Sequence, residues 1–278
     1  MPYKRVLTIQ DISCVGQCSL TVALPILSAC GQETCILPSA VLSTHTGGFT
    51  GFTVRDLTAD IPDIWKHWKK ENIGFDAIYT GYLGSLLQIG YVRELFAGMK
   101  SEGCVTVVDP AMADNGKLYY GFDMAYARAM GELCVEADIM IPNITEACMI
   151  TGIPYQEVYD EAYILQIMNK LADMGSKCVV LTGVGYEPGK TGVAIFRDGQ
   201  LWYYCHDKID KSYHGTGDCY ASAFVGAMLQ GKELTEAARI AADFIALCIR
   251  KTYDDASHWY GVKFETALPE LMEELGLK

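Results

Sequence analysis

Short apolar runs alternate with longer helical ones along most of the chain, and this alternation limits what it can fold into. Strands are expected at Arg5–Gln10, Thr34–Leu37, Asp76–Thr80, Cys104–Asp109, Asp138–Ile141 and Cys178–Thr182. Helices are expected between them, at Gln17–Gly31, Pro62–Glu71, Ser85–Lys100, Phe122–Val135, Asn143–Thr151 and Gln156–Met174. The strand runs are apolar throughout, as strands buried on both faces must be. A mostly parallel sheet with helices on both faces follows, an α/β fold. The pattern then changes. Thr191–Arg197 and Leu201–Cys205 flank Asp198-Gly199, a hairpin signal. Two apolar helices, Asp218–Gln230 and Leu234–Thr252, and an amphipathic end at Ala267–Leu275 close the chain. No Pro/Gly/Ser-rich linker, repeat or low-complexity stretch interrupts it, so a single domain over residues 1–278 is expected.

Charge narrows the partners. The formal net charge is −12, and no basic stripe is visible. Nucleic-acid binding and docking on anionic membrane are therefore not expected. No apolar run approaches the ~20 residues of a membrane span, and Val6–Ile9 is too short for a signal peptide. The eleven Cys form no CxxC and mostly lie in apolar runs, as free thiols of a reducing cytoplasm do. Cys14 and Cys18 could share a helical face, but no His or second Cys pair joins them, so zinc is not expected.

The densest chemistry is in His214-Gly215-Thr216-Gly217-Asp218. Two glycines free the backbone just before a helix of small residues. Such a turn can aim several N–H groups at one anion, with the helix dipole behind them. That suits the charge on a transferring phosphoryl group, and Asp218 beside it could take up a hydroxyl proton. The plainer reading is a helix N-terminus with an acid that the dipole favours. Asp109-Pro110 ends one strand, and Asn143 with Glu146 opens the helix after another. In a parallel sheet these ends share an edge where ligands bind, and the carboxylates could position Mg²⁺ through its waters. Helix capping explains Asn143 and Glu146 equally well. Gly183–Thr191 has the wrong spacing for a P-loop and leads into a strand.

The series Ile9-Gln10, Ser43-Thr44-His45-Thr46, Gly81-Tyr82-Leu83-Gly84-Ser85, Asp109-Pro110, Pro142-Asn143-Ile144-Thr145-Glu146 and Gly215-Thr216-Gly217-Asp218 resembles the pyridoxal kinase family of the ribokinase-like superfamily. The resemblance implies a three-layer fold and a homodimer. It implies Asp218 as catalytic base, with Gly215, Thr216 and Gly217 as anion hole. Asp109, Asn143 and Glu146 would serve ATP, with Asp109 and Glu146 organising Mg²⁺ and K⁺ as a monovalent cation nearby. Thr182 matches a nucleotide-contacting position, and His206–Asp210, with Lys208 in it, matches a loop over ATP. Asp11, His45, Thr46 and Tyr82 would line the acceptor pocket.

Asp11 stands where many pyridoxal kinases carry Ser, and hydroxymethylpyrimidine kinases often carry an acid there. Alternatively Asp11 is a turn residue just past the first strand, His45 a loop His bonded to backbone, and Tyr82 a packing residue at the sheet edge. The function expected is ATP-dependent phosphorylation of the 5′-hydroxymethyl group of vitamin B6 vitamers. The alternatives are hydroxymethylpyrimidine kinase, or a non-catalytic vitamin or nucleotide binder. An NAD(P) enzyme is disfavoured, since Asp11–Gly16 lacks G-x-G-x-x-G.

Overall fold

Strand β1 (Arg5–Ser13) has Val6, Leu7 and Ile9 fully buried. It lies between parallel neighbours in the computed structural model, which describes residues 3–277. These residues form two compact units: residues 3–104 with 209–277, and residues 105–208.

In the first unit β1 leads to α1 (Leu20–Ala29), β2 (Glu33–Leu42), β3 (Val54–Asp56), α2 (Ile61–Lys70), β4 (Ala77–Thr80) and α3 (Leu86–Met99). The strand order is β4-β1-β2-β3, with β3 the one antiparallel member. The expected end of β1 at Gln10 is too early, because pairing with β2 runs on to Ser13. The register shifts between Gln10 and Ile12, so Ser39 and Ala40 of β2 oppose Asp11 alone. Pro38, the partner of Gln10, has no N–H for the ladder, and a bulge absorbs the break. Asp11 is thus a buried strand residue and not a turn. The expected helix from Gln17 starts only at Leu20, which leaves Cys14 and Cys18 in a loop and off any helical face.

The second unit holds β5 (Val105–Val108), the two-residue strands β6 (Ala113–Asp114) and β7 (Lys117–Leu118), α4 (Met124–Glu136), β8 (Ile139–Met140), α5 (Ile144–Thr151), α6 (Glu161–Asp173), β9 (Cys178–Val184), β10 (Lys190–Arg197) and β11 (Gln200–Asp207). β5, β8 and β9 are parallel, while β10 and β11 add antiparallel. Asp198 and Gly199 turn the hairpin with φ of 52° and 75°, the two positive values a tight primed turn requires. Thr191 lies in β10 and not in a helix, so the Gly183–Thr191 stretch is a strand connection as its spacing indicated. Asp123 and Asp160 cap α4 and α6 through the N–H groups of Tyr126 and Tyr163.

The chain returns to the first unit with α7 (Thr216–Leu229), α8 (Leu234–Thr252), a 3₁₀ turn (Phe264–Ala267) and α9 (Leu268–Glu274). α7 is buried almost all round by Ala, Phe224 and Val225, and packs on α1 and α8. Truncating the fully buried Phe224 to Ala would cost about 3–5 kcal/mol. Seven of the eleven cysteines are buried, and all eleven are free thiols. Among the described residues no helix is long and apolar enough to cross a membrane.

Candidate active site

The first unit gathers its polar groups at the C-terminal ends of β1, β2 and β4. α7 starts from Gly215, whose φ of 75° no other residue type adopts freely. A Cβ there would stand 1.7 Å from the Gln17 carbonyl oxygen, so the loop before α1 lies directly on this turn. Gly215 offers no side-chain cap, which leaves the first N–H groups of α7 open to a ligand. Thr216 turns its hydroxyl back to the Tyr213 carbonyl at 3.3 Å. Gly217 has no positive φ and no atom within 4 Å of a Cβ position. The backbone constraint in this segment therefore belongs to Gly215 and not to Gly217.

Asp218, in the first turn of α7, accepts the Ser19 N–H on Oδ2 at 2.9 Å. Among the described residues its Oδ1 has no hydrogen-bond partner. The dipole of α7 favours the ionised carboxylate, but burial works against it. Burial raises the pKa to about 7, the Ser19 N–H opposes that, and the Asp11 carboxylate adds to it. Asp218 is a better proton acceptor than a dipole argument alone suggests.

Asp11 is 4% exposed. Its Oδ2 accepts from the Ser13 hydroxyl at 3.0 Å. Burial raises its pKa, while the Ser19 and Ser13 side chains favour the anion. His45 is also buried: Nδ1 accepts the Gly47 N–H at 3.0 Å, so Nε2–H donates to the Tyr260 carbonyl at 2.7 Å. Those bonds fix the neutral tautomer, and burial lowers its pKa. The backbone-bonded role foreseen for His45 is thus present, with the ring within the field of Asp11. Its ring also meets Phe49 edge-on at 5.0 Å and His214 at 5.3 Å. Tyr82, just after β4, is half-buried and its phenol is pushed up by burial and then by Asp11. Thr46 is exposed.

The second unit gathers Asp109, Asn143, Glu146 and Thr182 at the ends of β5, β8 and β9. Asp109 is buried and its Oδ1 accepts the Ala111 N–H at 3.1 Å. Asn143 and Glu146 form a complete capping box on α5. Glu146, 2% exposed, also takes the Met112 N–H on Oε1 at 3.0 Å, and Asn143 Nδ2–H donates to the Ala113 carbonyl at 2.8 Å. Burial carries the Glu146 pKa up to about 7, although three backbone N–H groups hold it down. Thr182 in β9 bridges to Asn143 and donates to the Pro142 carbonyl at 3.3 Å. Lys208 is exposed and opens a loop, but His206 and Asp207, expected in that loop, end β11, where Asp207 pairs with Lys190 at 2.8 Å.

No group of three or more His, Cys, Asp or Glu forms a metal cage among the described residues. Mg²⁺ does not need one, since it keeps most of its waters and binds one or two carboxylates. Both Glu146 oxygens are already engaged by N–H groups, so this carboxylate fits Mg²⁺ through a water and not by direct coordination.

Ser19 was not singled out from the sequence. A Ser before a helix signals a side-chain cap, yet here the hydroxyl caps nothing and the backbone does the holding.

The family model for phosphomethylpyrimidine kinase matches residues 36–262. A candidate phosphomethylpyrimidine kinase from Bacteroides thetaiotaomicron, in its rhombohedral form, is 36% identical, with a TM-score of 0.93 over 98% of this chain and 94% of that one. The orthorhombic form of that protein was solved with pyridoxal; it is 37% identical, with a TM-score of 0.91 over 97% of this chain and 96% of the other. Pyridoxal kinase from Lactobacillus plantarum is 30% identical, with a TM-score of 0.90 and 98% of each chain covered. Pyridoxine kinase of Bacillus subtilis is 26% identical over 204 residues, 72% of this chain and 70% of its own. The chain belongs to the phosphomethylpyrimidine kinase family, within its ribokinase-like pyridoxal kinase branch, and is a phosphotransferase that acts on an alcohol group.

Proposed function

We propose that the chain transfers the γ-phosphoryl group of ATP to the 5′-hydroxymethyl group of a vitamin B6 vitamer. One observation carries this reading. Asp218 presents an unbonded carboxylate oxygen, with a pKa raised to about 7, in the first turn of a helix whose N-terminal N–H groups are uncapped. That is a base beside an anion hole, which phosphoryl transfer to an alcohol needs and a pure binder does not. A protein 37% identical to this one holds pyridoxal, which supports the acceptor class.

In the reaction the acceptor hydroxyl oxygen attacks the γ-phosphorus and its proton passes to Asp218 Oδ1. The bond to the β–γ bridging oxygen breaks and ADP leaves. The N–H groups of Thr216 and Gly217, beside Gly215, face the charge on the transferring group. Asp109 and Glu146 would hold Mg²⁺ through its waters, and that ion would neutralise charge on the phosphates; K⁺ is the monovalent ion the family resemblance supports. Asn143 and Thr182 would frame the nucleotide side, and Lys208 would meet the phosphates from its loop. Asp11, His45, Thr46 and Tyr82 would contact the vitamer ring. The chain is read as one kinase domain, as the family resemblance implies. A cytoplasmic homodimer fits the resemblance, and sedimentation tests the dimer.

Hydroxymethylpyrimidine is the second acceptor to consider, because Asp11 brings a carboxylate that can accept from an amino group. ADP release over pyridoxal, pyridoxamine, pyridoxine and hydroxymethylpyrimidine separates the two readings.

A further inference from the structure

Ser19 is a conformational outlier with two carboxylates around it. Its φ of 55° and ψ of −133° lie in the region of the first central residue of a type II′ turn, where Gly is the usual occupant. It is buried, and it bridges to Ile12 in the bulged part of β1. A residue with a Cβ is held in this conformation only when its surroundings over-determine it. Gly215 and Gly261 both pack closely on Gln17, two residues before Ser19, so the loop leading into Ser19 has little room to relax. The backbone N–H is aimed at Asp218 Oδ2 at 2.9 Å.

We infer that Ser19 is a positioning residue of the phosphoryl transfer: its N–H pins Asp218 Oδ2 so that Oδ1 faces the acceptor hydroxyl. This rests on the kinase reading above. A carboxylate free to rotate about its last bond would spend most of its time misaimed, and misplacement by about 1 Å can cost about 10²-fold in rate. The strain has a functional reason here.

The groups facing Asp218 are few. Asp11 comes from β1, Cys18 from the loop before α1, and Cys219 from α7. Burial pushes both thiols up, so they stay neutral, and among the described residues Asp11 is the charged group that acts on Asp218. His45 is in turn the neutral group facing Asp11.

Two measurements test the inference. The first follows the Ser19 amide proton by NMR against pH in the whole protein. Its shift should titrate with Asp218, and the titration should vanish in Asp218→Asn. The second is steady-state kinetics. Ser19→Val disfavours the positive φ, swings the N–H away and should lower kcat by about 10²-fold with KM for ATP unchanged. Ser19→Gly keeps the N–H in place and should hold kcat within about threefold. An amide that does not titrate, or that titrates equally in Asp218→Asn, overturns the inference even if Ser19→Val fails to fold. So does a loss of kcat in Ser19→Gly as deep as in Ser19→Val. If the wild type phosphorylates no hydroxymethyl acceptor, the kinase reading fails, and the amide titration still decides whether Ser19 holds Asp218.

Discussion

Gly215 lies so close to Gln17 that a Cβ on the glycine would stand 1.7 Å from the Gln17 carbonyl oxygen. This contact lays the loop before α1 on the turn that opens α7. Gly215→Ala should therefore fail twice, through a left-handed φ and through the clash, and destabilise the protein by about 1–3 kcal/mol. Gly217→Ala makes the opposite case. Nothing lies within 4 Å of its Cβ position, so stability should stay within about 0.5 kcal/mol of wild type. Turnover should nevertheless drop, because the added methyl occupies space a phosphoryl group needs. Denaturation midpoints beside kcat for both variants check this; full activity in Gly217→Ala would move the anion site elsewhere.

Asp218 couples activity to pH. Burial raises its folded pKa to about 7, above an ordinary carboxylate value of 3.8. The base works only when ionised, so kcat/KM should rise with pH up to about 7 and level off. Stability has the opposite sign. A raised folded pKa means the native state binds the proton more tightly, so its contribution is complete at low pH and is lost as pH rises through about 7. Asp218→Asn should thus melt higher than wild type at pH 8. A lower melting temperature there would show that the carboxylate's charge is compensated in the fold.

Asp11 acts on the same titration. Asp11→Ser removes the neighbouring negative charge that helps raise the Asp218 pKa. The acid limb of kcat/KM should move to lower pH, and KM for B6 acceptors should change while KM for ATP does not. Any hydroxymethylpyrimidine activity should fall more than pyridoxal activity. An unchanged acceptor profile would leave the choice of acceptor to His45, Thr46 and Tyr82.

Glu146 has a structural and a metal-related duty that two substitutions separate. Its oxygens satisfy the Asn143, Met112 and Ala113 N–H groups inside the protein. Glu146→Ala strands them and should cost about 2–4 kcal/mol. Glu146→Gln can still close the capping box and should cost less. Both should raise the Mg²⁺ concentration needed for half-maximal activity, and activity should vanish in EDTA and return with Mg²⁺. Equal stability losses in the two variants would contradict the capping account.

The legible parts of the sequence were those governed by local pattern. Leu234–Thr252 came out with its observed limits because its 3.6-residue periodicity is long and its ends are marked. The Asp198-Gly199 hairpin came out because two positive φ values leave few residue choices. Arg5–Gln10 came out three residues short. Asp11 and Ser13 look like turn residues, and only pairing with β2 across the Pro38 break makes them strand. β3, β6 and β7 are too short to leave a pattern. The raised pKa of Asp218 is not legible in the sequence for the same kind of reason. The dipole of α7 is local, whereas the burial that outweighs it comes from tertiary packing, as the contact of Asp218 with Ser19, 199 residues away in sequence, illustrates. Ser19 carries no signal, since backbone strain is a property of packing and not of residue type.

The central claim is that Asp218 takes the proton from a vitamer hydroxymethyl group during transfer from ATP. A coupled assay of ADP release, run with Mg²⁺ over pyridoxal, pyridoxamine, pyridoxine and hydroxymethylpyrimidine on wild type and Asp218→Asn, tests it directly. The account predicts vitamer-dependent ADP release that falls about 10²–10⁴-fold in the variant with KM little changed. Release that depends on hydroxymethylpyrimidine alone, or an Asp218→Asn enzyme within tenfold of wild type, would contradict it.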